Sequence, residues 1–145
     1  MSLNIEGVNG GYMAFNSGAL AIGTTTGTFK IVAAVNYTNN GIFKNKAITD
    51  NVAFTAGHTS LAASQACLFA LWIDASGTVT TTQGPIVPSS DNCPVPTQKT
   101  ANVTLIGLIK VSTSSAQTYV PGTDALGTGN TAAYTNCSTM PGTSQ

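Results

Sequence analysis

Cys67, Cys93, Cys137 and His58 carry the nucleophilic and metal-ligating side chains of this sequence. The three cysteines contain no Cys-x-x-Cys pair, so neither a zinc site nor a redox motif is supported. His58 and Cys67 lie nine residues apart across a turn, a spacing on which a base and a nucleophile can be imagined. No Asn or Asp is placed to orient the imidazole. His58 follows Gly57 and is expected as a satisfied turn residue. Cys67 sits in an apolar run and reads as a buried small hydrophobe. Cys93 and Cys137 fall in Pro- or Thr-rich segments. Either a disulfide tying the tail to the middle loop or two free thiols fits them.

The carboxylates offer no more. Asp74-Ala75-Ser76-Gly77-Thr78 is superficially similar to the aspartic-protease loop. That chemistry needs Asp directly before Ser/Thr-Gly and a second copy to share the proton. Here Ala75 intervenes and no second copy exists. The stretch reads as a turn, with Asp accepting backbone N–H bonds and Gly at positive φ. Glu6, Asp50, Asp74, Asp91 and Asp124 are too dispersed to form the carboxylate pair of a glycosidase. Gly84-Pro85 and Gly122-Thr123 precede no helix bearing a lysine, so they are turns and not phosphate cradles. Three glycosylation patterns, at Asn36, Asn102 and Asn136, are expected by chance in a chain this rich in Asn and Thr. No catalytic, cofactor-binding or metal-ligating residue is expected, and the chain reads as a non-enzyme.

The elements that would carry a surface are clearer. Phe29–Val35 is apolar and β-branched, Asn39-Asn40-Gly41 is a turn signal, and Ile42 starts a return strand towards Ile48. Phe43 and Asn45 alternate there with Lys44 and Lys46, which suits a partly exposed strand. Val52 and Phe54 begin another short strand. Ser60–Trp72 has helical as well as strand character. The turn after Ile73 places a strand at 66–74, apolar on both faces, with its return at Thr78–Thr82. Pro85, Pro88, Pro94 and Pro96 mark residues 84–102 as a loop. Asn102–Val111 is the third strong strand, with Gly107 marking a bulge or close packing. Ser112–Ala116 is expected as a hairpin loop, Gln117–Val120 as its return, and the segment from Thr123 as a low-complexity tail running to Met140-Pro141. The prediction is an all-β, meandering antiparallel β-sandwich or jelly-roll-like domain. Residues 1–28 form an N-terminal arm or first strand, and 29–145 the sandwich with an ordered C-terminal tail.

Composition narrows the function classes. The chain has 145 residues, enough for one domain with a real core. Apolar residues make up 42%, yet charged residues are only 7%, against about 25% in an average soluble domain. Five lysines balance five acids, and arginine is absent. A nucleic-acid partner is excluded for want of a cationic surplus. No run approaches the length of a membrane span, and the first residues lack the pattern of a secretory signal. A neutral surface has little colloidal repulsion, so much of it is expected to be covered by partners.

Two parts of the chain carry a resemblance. Ala56-Gly57-His58-Thr59-Ser60-Leu61-Ala62-Ala63 with Leu71-Trp72-Ile73-Asp74-Ala75-Ser76-Gly77-Thr78-Val79 is one. Leu105-Ile106-Gly107-Leu108-Ile109-Lys110-Val111 with Thr118-Tyr119-Val120-Pro121-Gly122-Thr123 is the other. Together, over residues 28–140, they resemble bacteriophage virion structural proteins of the head-decoration and fibre-like kinds. The resemblance implies a β-rich trimer without enzymatic activity, and it brings no active site to carry over. The expectation is a capsid decoration or cement protein on the outer surface of the virion, bridging major capsid subunits as a homotrimer. Its interface is expected at Tyr12, Met13 and Phe15 of the arm and at Phe43 of the exposed strand. The alternative is a tail or head fibre module binding host surface carbohydrate, with Trp72 and Tyr119 as candidate stacking residues. Core packing suits Trp72 better.

Overall fold

Asn40 and Gly41 both take up positive φ, 51° and 75°, and reverse the chain sharply. In the computed structural model, which describes residues 11–97 and 101–137, this turn closes a long antiparallel hairpin. One arm is β3 (Thr28–Ile31) followed by β4 (Val35–Asn39); the other is β5 (Ile42–Lys46) followed by β6 (Thr49–Ala53). β4 pairs with β5 and β3 with β6. The N-terminal segment adds a third layer of pairing. β1 (Met13–Ala14) joins β4 and β2 (Leu20–Ile22) joins β3, giving the sheets β1-β4-β5 and β2-β3-β6. All three runs are interrupted at the same level. Gly18 carbonyl accepts the amides of Val32 and Ala33 there, both at 2.9 Å.

The remaining strands, β7 (Gln65–Ile73), β8 (Val79–Gln83), β10 (Thr104–Thr113) and β11 (Asn130–Asn136), form one sheet ordered β11-β10-β7-β8, with the two-residue β9 (Val87–Pro88) also on β7. β7 (Gln65–Ile73) and β10 (Thr104–Thr113) are its long central pair. β7 is buried almost throughout, which explains why its sequence is apolar on both faces. The helical alternative for Ser60–Trp72 is not realised. β8 (Val79–Gln83) returns through the Asp74–Thr78 turn. The fold is therefore all-β, built from antiparallel sheets.

The core draws on every sheet. Phe29, Ile31, Val35 and Tyr37 come from the hairpin; Phe69, Leu71, Ile73, Ile109 and Val111 come from β7 and β10. Phe54, just past β6, sets its ring edge-on to Phe29 (5.3 Å) and Phe69 (5.0 Å) and so joins the two groups. The expected bulge exists: the β10–β7 register shifts between Leu105 and Gly107.

One sequence expectation is corrected. Gln117–Val120 is not the return strand of β10. The chain instead leaves the sheet after Thr113, and only Tyr119 pairs, with Leu61. The return is β11 (Asn130–Asn136), which runs beside β10 from Gly107 to Thr113. Ser112 and Thr113, expected in a loop, belong to β10. The physical reason is burial of apolar side chains. Tyr119 and Leu126 are needed in the core, and the excursion from Ser114 to Gly129 delivers both. The end of the expected tail, at Met140 and Pro141, lies outside the described residues.

Candidate interaction surface

The outward face of the β1-β4-β5 sheet gathers three of the four residues expected at an interface. Met13 stands opposite Thr38, and Thr38 opposite Phe43, so the three form one row across the strands. Phe15 follows two residues after Met13 on the same face. Its ring lies 5.9 Å from that of Phe43, tilted by 32°. Asn16 fixes this segment: its Nδ2 donates to Ala34 O (2.6 Å) and its Oδ1 accepts the Asn36 amide (2.6 Å). Tyr12 points elsewhere. Its hydroxyl donates to Asn102 Oδ1 at 2.6 Å, on the loop before β10.

Exposed apolar side chains also occur elsewhere on β5 and just after it. Phe43 is 63% exposed, Ile42 59% and Ile48 67%. Large apolar side chains in such a position are unusual for a monomeric surface. The alternation in the sequence showed Phe43. It did not show that Phe15 would meet it, because that contact depends on how the N-terminal segment pairs with β4.

On the other face of β5 stand Lys44 opposite Tyr37 and Lys46 opposite Val35. Both lysines are half-buried. Tyr37 is buried, and its hydroxyl donates to Asp74 O at 2.9 Å. Burial, reinforced by the charge of Asp74, raises its pKa.

The residues with chemical potential are occupied structurally. His58 Nε2 is 2.7 Å from Thr81 Oγ1, and the ring packs edge-on to Phe69 at 5.2 Å. It lines a cleft of about 260 Å³ with Trp72 and Thr80–Thr82. Trp72 donates its indole N–H to Thr82 Oγ1 at 2.8 Å and is only 9% exposed. Tyr119 is fully buried. Burial pushes the Cys67 thiol up to about 11, although Gln83 Nε2 donates to the sulfur at 3.6 Å. Asp74 Oδ1 accepts the amides of Ser76 (2.8 Å) and Thr78 (2.9 Å), and Gly77 has φ 84°, as the turn reading requires. Among the described residues no group of three or more His, Cys, Asp and Glu side chains could hold a metal ion.

The disulfide alternative for Cys93 and Cys137 is not formed: all three cysteines are free. The sheet register explains the separation. Cys137 N–H donates to Ile106 O at one end of β10, whereas Cys67 pairs with Val111 towards the other. Five residues of strand span about 17 Å. Cys93 lies near Cys67, close enough to influence its ionisation, and so at the far end from Cys137.

Comparison with known proteins finds no family model, no curated protein and no solved structure that matches this chain.

Proposed function

We propose that this chain is a non-enzymatic structural protein of a bacteriophage virion, decorating the outer capsid surface and cementing major capsid subunits as a homotrimer. The observation that carries the reading is the Met13–Phe15–Phe43 patch, with the Phe43 ring largely exposed, on a nearly uncharged chain. The architecture suits such a role. The hairpin sheets and the β7–β10 sheet share one core, as the layers of a meandering β-sandwich do, which leaves edges and outer faces for partners. Many copies on one shell would turn modest contacts into lasting attachment. The burial of Trp72 and Tyr119 weighs against the carbohydrate-binding alternative.

The test is electron microscopy of purified phage particles in which this protein is located by density. Density on the capsid exterior, bridging capsomers, is the expected result. Location at a tail tip, or absence from particles, overturns the reading. Mass measurement of the free protein in solution tests the trimer.

A further inference from the structure

We infer that the free edge of β5 receives an extended acidic segment of a partner protein, which adds beside β5 as a further strand. The inference rests on the assembly reading above and names the partner's chemistry.

Among the described residues β5 pairs with β4 on one side only, so its backbone groups on the other side remain for a second ladder. An open edge accepts strands indiscriminately unless side chains restrict it, and lysine is the residue that most often does so. Lys44 and Lys46 stand on this edge strand, on one face. Neither has an ion-pair partner among the described residues.

These lysines argue against a second copy as the occupant. Antiparallel self-pairing centred on Lys44 sets that residue against itself. Centred on Asn45, it sets Lys44 against Lys46. Both place like charges directly opposite, which is destabilising. Only a short overlap about Phe43 avoids the clash. A strand with Asp or Glu at alternate positions meets no such obstacle. Its carboxylates stand opposite Lys44 and Lys46 as cross-strand charge pairs. The residue between its carboxylates lies beside Asn45 on the outward face, and the next one beyond Lys44 lies beside Phe43.

The test uses the full chain, isotope-labelled, and two end-blocked peptides, Thr-Glu-Val-Glu-Thr and Thr-Lys-Val-Lys-Thr. The acidic peptide is expected to shift and protect amides within Ile42–Lys46, with about tenfold or greater preference over the basic one. Its affinity falls as salt rises. K44E/K46E inverts the preference, and K44Q/K46Q abolishes it while leaving the hairpin's own amide signals in place. An equal response to both peptides, no response to either, or β5 protection that grows with protein concentration alone overturns the proposal; the last outcome would identify a second copy as the occupant. The result is independent of particle location. A chain absent from virions that still selects the acidic peptide would sink the capsid reading and leave this one standing.

Discussion

Leu20 Cδ1 occupies the space in which a Cβ on Gly107 would stand. This contact locks β2, in the N-terminal segment, onto the bulge of β10. Gly107→Ala forces the leucine or the bulge to move and is expected to destabilise the fold by about 1–3 kcal/mol. Chemical denaturation of G107A, L20A and the double variant measures it. The double variant should cost less than the sum of the two, because Leu20→Ala vacates the contested space. Strict additivity would show that the two residues do not compete.

Tyr119 and Tyr37 should respond oppositely to loss of the hydroxyl. Tyr119 OH is buried without a hydrogen-bond partner among the described residues, whereas Tyr37 OH donates to Asp74 O. Tyr119→Phe is expected to be neutral or stabilising by about 1 kcal/mol, and Tyr37→Phe to cost a similar amount. Denaturation midpoints compare them directly, and a larger loss for Tyr119→Phe would reveal a partner for its hydroxyl.

Thiol reactivity should divide the cysteines. Cys67 is fully buried with its ionisation pushed up to about 11, while Cys93 and Cys137 are half-buried. At about pH 7 a maleimide should label half-buried Cys93 and Cys137 in the native protein, Cys137 slowly because burial raises its thiol, and Cys67 only after unfolding, since the thiolate is the reactive form. Peptide mapping by mass spectrometry reads this out. Early labelling of Cys67 would contradict its place in the core.

Asp74 should contribute an acid limb to the stability curve. Burial raises its carboxyl, but hydrogen bonds from the Ser76 hydroxyl and the amides of Thr78, Ser76 and Gly77 outweigh that and hold it below the ordinary value. A depressed native pKa contributes stability above the unfolded value, which is lost as pH falls through the native one. The loss therefore falls below about pH 4. Asp74→Asn should flatten this limb in melts taken from pH 5 downwards, and an unchanged slope would show that other carboxylates set it.

Phe43→Ser should separate stability from attachment. The ring is 63% exposed, so unfolding free energy should change by only about 0.5 kcal/mol. Ile31→Ala, in the core, should cost about 2–5 kcal/mol. If the patch binds capsid, F43S loses attachment in a particle co-sedimentation assay while its melting curve barely moves.

The elements legible in the sequence were those whose signals are local. Asn40-Gly41 specified the hairpin through positive φ, and the apolar runs of β7 and β10 specified central strands. β11 was not legible. Asn130–Asn136 offers only Ala132 and Tyr134 to the core and owes its strand conformation to the ladder it shares with β10. Gln117–Val120 looked more strand-like, yet Tyr119 is drawn off to Leu61. The surface patch was half legible for the same reason. Phe43 announced itself by alternation, whereas its meeting with Phe15 is a tertiary fact.

The late position of β11 also sets an order of events during synthesis. Its Asn136 Oδ1 accepts the Leu20 amide, tying the last strand to one of the first. Until residue 136 has left the ribosome, β10 has an open flank and this early strand lacks its anchor. Contacts so distant along the chain form slowly. From the emergence of β10 until residue 136 follows it, a nascent chain of this protein must therefore keep the free edge of β10 from pairing with its neighbours.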